Sequence, residues 1–97
     1  MVKKITGFRF TLHFKKKYQS LPKNIQNRFD EKLSLLLRDV FHPSLRIKRI
    51  QGTKELWEGA VTMKYRFTFQ FENGEVIFRT IGTHEILIQE AKSGKGK

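Results

Sequence analysis

The chain has 97 residues, 38% of them hydrophobic and nine of them phenylalanine, enough apolar material for one modest core and too little for two. It carries a net charge of +11 and no cysteine, which excludes disulfides and thiolate metal sites and permits a reducing compartment. No apolar run approaches the ~18 residues of a membrane span and the N-terminus lacks a signal-peptide core, so a soluble cytoplasmic protein with no membrane partner is predicted.

Along the chain, Phe8, Phe10 and Leu12 alternate with Arg9, Thr11 and His13, the pattern of a half-buried strand. Phe14, Tyr18 and Leu21 then fall at helical spacing, and Pro22 closes that short helix and opens a second. Ile25, Phe29, Leu33, Leu36 and Val40 continue an apolar stripe, and Pro43 predicts a helix end near Phe41 or His42. The period then changes to two. Strands are predicted over Leu45–Ile50, Leu56–Thr62, Tyr65–Phe71 and Val76–Ile81, with Gly52-Thr53-Lys54, Met63-Lys64 and Asn73-Gly74 as turns. The expected fold is α+β: two N-terminal helices packed on one face of a mainly antiparallel sheet, in the order β-α-α-β-β-β-β. Residues 1–91 form one domain in this reading, and residues 92–97 form a flexible basic tail.

Charge is uneven: residues 1–50 hold 13 Lys or Arg against three acids, and residues 51–97 hold seven against six. That asymmetry predicts an electropositive face for nucleic acid or for an acidic protein. Alternation puts the aromatic residues of Tyr65–Phe71 on the helix-covered face and Arg66, Thr68 and Gln70 on the open one. Arg66 is there either a phosphate ligand, which its planar fork suits, or an arginine that is solvated or paired with Glu58 or Glu72. His84, after Gly82, carries an imidazole, a side chain whose unperturbed form exchanges protons near neutrality, and is either a proton carrier or a strand-end cap. A fixed cation and a proton carrier are two of the three groups that RNA cleavage by its own 2′-hydroxyl requires.

Arg46 and Lys48 fall on one face and Arg49 on the other; they are phosphate contacts or the charges of a guarded edge strand. Lys64, before the Tyr65 strand, joins them as an RNA-binding candidate. Trp57 is either a stacking platform for a base or a core residue. His42, before Pro43, reads as a helix-end cap, and His13 has no evident partner. The three histidines lack metal-ligand spacing.

These residues together resemble the RelE/ParE superfamily of toxin–antitoxin toxins over residues 8–88. The likeness rests on Leu21-Pro22, His42-Pro43-Ser44-Leu45, Lys48-Arg49-Ile50-Gln51-Gly52, Leu56-Trp57-Glu58, Tyr65-Arg66-Phe67 and Ile81-Gly82-Thr83-His84. It implies a small α+β toxin of a type II system, a ribosome-dependent, metal-independent mRNA endonuclease without a cofactor. An acidic antitoxin would wrap it, the free toxin being a monomer and the inhibited one a hetero-oligomer. Arg66 matches the family arginine at the scissile phosphate, and His84 matches the C-terminal histidine of the YoeB-like and YafQ-like branches. Trp57 and Gly59 stand at about the positions of RelE lysines, Gln51 replaces an arginine, and the YoeB-type glutamate has no match. Glu58 substitutes as a catalytic carboxylate if it shares the face of Arg66, which alternation from Leu56 leaves open. The alternatives are a ParE-like inhibitor of DNA gyrase, whose fold lacks the nuclease residues, and a degenerate toxin that only binds RNA or antitoxin. Retention of Arg66 and His84 favours the nuclease.

Overall fold

In the computed structural model, which describes residues 5–88 and 90, the chain runs β1 (Gly7–Phe10), α1 (Leu12–Gln19), α2 (Lys23–Arg38), a 3-10 turn (Pro43–Leu45), β2 (Lys48–Arg49), β3 (Trp57–Ala60), β4 (Tyr65–Glu72) and β5 (Glu75–Thr83). Residues 86–88 and 90 are helical again. The sheet order is β1-β5-β4-β3-β2, with β1 parallel to β5 and every other neighbour antiparallel. This is the expected α+β order, and the tail at 92–97 lies outside the described residues.

Both helices lie on one sheet face because their apolar stripes match its aromatic row. Phe14, Ile25, Phe29 and Leu36 from the helices meet Phe67, Phe69, Val76, Phe78 and Ile81 from the strands, all buried in one cluster. The Phe29 ring stands edge-on to Phe67 at 5.5 Å and to Phe78 at 5.6 Å. Such edge-to-face pairs add about 0.5–1.5 kcal/mol beyond the area they bury. The α1–α2 corner is closed by polar groups: Gln26 donates to the Tyr18 carbonyl at 2.9 Å, and the Tyr18 hydroxyl donates to Asp30 at 2.8 Å. Pro22 caps α2, its carbonyl accepting from Ile25 and Gln26.

Several boundaries differ from the sequence reading, each for a local reason. The first strand stops at Phe10, because the Thr11 hydroxyl accepts from the Phe14 amide at 3.0 Å and caps α1. Leu12, read as an inward strand residue, is therefore 76% exposed in the first helical turn. Helix α2 ends at Arg38 rather than near Phe41 or His42; Asp39 leaves the helix at φ −153°, which brings Val40 into the core and Phe41 against Trp57. His42 accepts from the Ser44 amide at the start of the 3-10 turn, so it caps the element after it and not α2. The basic segment Leu45–Ile50 forms a ladder only at Lys48 and Arg49; Arg46 is left-handed at φ 52° and stands outside the strand. Asn73 and Gly74, at φ 54° and 84°, make the expected hairpin turn.

The last strand is longer than expected and irregular. Phe69 pairs with Phe78 and Thr68 with Thr80, so Arg79 is an extra residue in β5. This bulge keeps Phe78 and Ile81, three residues apart, on the core face and sends Arg79 and Thr80 to the other side. The spare Arg79 carbonyl accepts from the Thr11 hydroxyl at 2.9 Å, which ties the start of α1 to the bulge.

Gly59 shows how tightly the two layers close. A Cβ there would fall inside the contact limit of the Phe67 ring and 2.9 Å from the Ile47 Cδ1. Gly59→Ala is therefore expected to lower stability by about 1–3 kcal/mol through overpacking, read as a lower urea midpoint with an unchanged slope.

Partial burial and the hydrogen bond to Asp30 push the Tyr18 phenol up from 10.0 to about 12. A raised folded value means that the protonated phenol stabilises the fold below pH 10, and that this contribution is lost as pH rises towards 12. Alkaline titration of wild type against Tyr18→Phe should show extra loss in that window for wild type alone.

Candidate functional site

The face of the sheet opposite the helices is built from the even-numbered residues of β3 and β4 and, past its bulge, of β5. Glu58 pairs with Thr68 across β3–β4, and Thr68 with Thr80 across β4–β5, so these three share that face with Arg66 and Gln70. This settles the position of Glu58: its carboxylate is on the Arg66 side of the sheet. Trp57 and Gly59 pair with Phe69 and Phe67, hence face the core, where a lysine could not be solvated.

Arg66 lies on β4, the middle strand, and is half-buried. Its Nη2 donates to the Met63 carbonyl at 3.1 Å, while its Nε is buried with no hydrogen-bond partner. Among the described residues it forms no ion pair. Glu58 is taken by Lys48 at 3.7 Å and Glu72 by Arg9 at 3.7 Å, so neither carboxylate partner anticipated for Arg66 is engaged with it. A guanidinium held at one corner with its remaining donors uncommitted is a ready-made anion ligand. Glu58 is the diagonal neighbour of Arg66 across β3–β4, about 7–8 Å away between Cα atoms, within reach of a shared ligand.

His84 is exposed in the turn that follows β5, two residues past Gly82, the cross-strand partner of Arg66. β5 thus delivers His84 to the end of the sheet nearest the Arg66 position. Lys48 is exposed and paired with the buried Glu58, and Lys64 is exposed in the β3–β4 turn. Arg46, exposed beyond the 3-10 turn, does not alternate with Lys48 as a strand would require. Arg49 lies over the Trp57 ring at 5.1 Å, and that ring is wedged between Phe41 and Phe71 at 5.9 and 6.0 Å. Trp57 is therefore half-buried structure with one face given to Arg49. Among the described residues no cluster of three or more His, Asp or Glu could hold a metal, and no helix is long and apolar enough to cross a membrane.

Two features escaped the sequence. The first is a polar network under the C-terminal segment: Arg79 donates to Glu90 at 2.6 Å and to Gln70 at 2.9 Å, and the buried Thr68 donates to Glu90 at 3.1 Å. It docks the stretch after His84 onto the sheet, and only the bulge aims Arg79 that way. The second is His13, whose Nε2 lies 3.0 Å from the Thr80 hydroxyl and which lines a cleft beside β5. Its position two residues after a helix-capping threonine was the available signal.

Arg79→Met would leave Glu90, 8% exposed, without its cation. The expected loss is about 2 kcal/mol, below the ~3–5 of a fully buried pair because water still reaches part of Arg79. Chemical denaturation measures it, and Arg79→Met with Glu90→Gln should recover part of the loss.

No protein-family model and no curated protein sequence matches the chain. Solved structures do. YafQ from Escherichia coli strain BL21(DE3) superposes with a TM-score of 0.69 at 15% identity, over 82% of this chain and 94% of that one. The archaeal RelE–RelB structure from Pyrococcus horikoshii OT3 gives 0.63 at 18% identity, over 78% and 91%. The YoeB/ParE toxin from Agrobacterium tumefaciens gives 0.69 at 14% identity, over 81% and 99%. At these identities the likeness is one of fold: the chain carries the fold seen in these YafQ, RelE and YoeB/ParE structures.

Proposed function

We propose that this protein is the toxin of a type II toxin–antitoxin system and acts as a metal-independent endoribonuclease on ribosome-bound mRNA. The observation that carries the reading is Arg66: a half-buried guanidinium on the central strand, free of any carboxylate partner among the described residues, on a face that also holds Glu58.

The chemistry follows from three groups. The guanidinium of Arg66 binds the scissile phosphate and neutralises the charge that builds as phosphorus becomes five-coordinate. The 2′-oxygen attacks phosphorus and gives up its proton, the bond to the 5′-oxygen breaks, and that oxygen takes a proton. The products are a 2′,3′-cyclic phosphate and a 5′-hydroxyl. His84 offers an exposed imidazole as the proton carrier, and Glu58 is the carboxylate on the Arg66 face that can serve as its counterpart. Lys48, Lys64 and Arg46 hold the flanking phosphates, while Arg49, over the Trp57 ring on the other side of the sheet, is left out of the site.

The protein solved from Pyrococcus horikoshii is a RelE–RelB complex, and the YafQ of Escherichia coli was solved as a DinJ–YafQ toxin–antitoxin complex. These neighbours, with a net charge of +11, support a cognate acidic antitoxin as the partner.

Expression of wild type should arrest growth and yield mapped cuts in translated mRNA. Arg66→Ala should lower the cleavage rate by about 10²–10³-fold and Arg66→Lys restore only part of it, because a point charge cannot replace a bidentate fork. His84→Ala should lower it by about 10²–10⁴-fold and remove one limb of the pH–rate profile. Growth arrest with intact mRNA and inhibited gyrase would sink the nuclease in favour of a ParE-like activity.

A further inference from the structure

Beside the Arg66 face, a cleft of about 210 Å³ opens where the start of α1 meets the end of β5. α1 contributes His13 and Lys17, one turn apart on the same helix face, and β5 contributes Thr80 and Thr83. Glu85 stands on the rim formed by the chain after β5. Gly82 lines it too; a Cβ there would meet the Ile86 side chain at 3.0 Å, so a larger residue would crowd the opening.

Size and charge narrow the occupant. Sites for drug-sized ligands run to about 300–1,000 Å³, so this cleft suits a single ring system rather than a dinucleotide. A bare phosphate would find Lys17 but also a carboxylate, and an acidic peptide would meet the same repulsion. A nucleotide suits both ends. Its phosphate takes Lys17, its ring stacks on the imidazole of His13, and an amino group on its base donates to Glu85, which when ionised can only accept, whereas the single N3–H of uracil is flanked by two carbonyl oxygens that a carboxylate repels. The Glu90 carboxylate, which also borders the cleft, is already engaged by Arg79.

Position links the cleft to the reaction. Gly82 is the cross-strand partner of Arg66, so the two lie one strand spacing apart, about 4.8 Å, and a phosphate on Arg66 and a base in the cleft belong to adjoining nucleotides. We infer that this cleft is a base-selecting subsite for the nucleotide next to the scissile phosphate, accepting amino-bearing bases (guanine, adenine, cytosine) and disfavouring uracil. The inference rests on the nuclease reading for its role and on the cleft itself for its ligand.

Titration of the whole protein with GMP, AMP, CMP and UMP, followed by amide shifts in ¹H–¹⁵N spectra, tests it. Shifts at His13, Thr83 and Ile86 are expected with the first three and weakly with UMP. Glu85→Ala should weaken the amino-bearing nucleotides by about tenfold and leave UMP unchanged, the loss of one charge-assisted hydrogen bond. Lys17→Ala should weaken all four alike. Equal binding of UMP, or no shifts at those residues in a protein that still cuts RNA, overturns the subsite and spares the nuclease. Selective shifts in a protein that leaves mRNA intact keep the base site and remove the nuclease reading.

Discussion

Phe78 is the side chain on which the two layers depend. Fully buried on β5, its ring touches those of Phe10 and Phe14 from the N-terminal segment, Phe29 from α2, and Phe67 and Phe69 from β4. It thus joins every element that covers the core to the strand pair at the middle of the sheet. Ile81, three residues later, is also fully buried on that side. A regular strand would turn one of the two outwards, so β5 bulges at Arg79 to keep both inside.

That requirement of the core shapes the opposite face. With the bulge in place, Arg79 and Thr80 both serve the polar side, where Arg79 meets Gln70 and Glu90, and Thr80 meets His13. Glu90 brings the segment after β5 down onto the sheet, and that segment begins with His84. A hydrophobic packing rule thereby fixes the chain on either side of the turn that carries His84. The same bulge presents its carbonyl to Thr11, which fixes the first turn of α1 and with it His13 and Lys17 along one wall of the cleft.

Electrostatics on this face follow from who has a partner. Arg79 sits against a carboxylate and a carboxamide, and Lys48 against Glu58, so their charges are compensated within the protein. Arg66 is held only by a backbone carbonyl, with its Nε enclosed and unpaired. Leaving a half-buried guanidinium without a counter-ion is costly in an unliganded fold, and a bound phosphate offsets that cost. This contrast separates the candidate ligand from the arginines that hold the fold together.

Patterns of period two and 3.6, the prolines at 22 and 43 and the Asn73-Gly74 pair were enough to read the element order, the α+β class and the face of Arg66. Each is local, since side-chain direction follows from backbone geometry within a few residues. The sequence could not show that Thr11 would leave the strand to cap a helix, that Trp57 would be wedged between Phe41 and Phe71, or that Glu58 would share the face of Arg66. These depend on which strand pairs with which, and at what register. The bulge, the Arg79–Glu90–Thr68 network and the cleft at His13 depend on contacts between residues 11 to 68 positions apart, so only the folded chain could decide them.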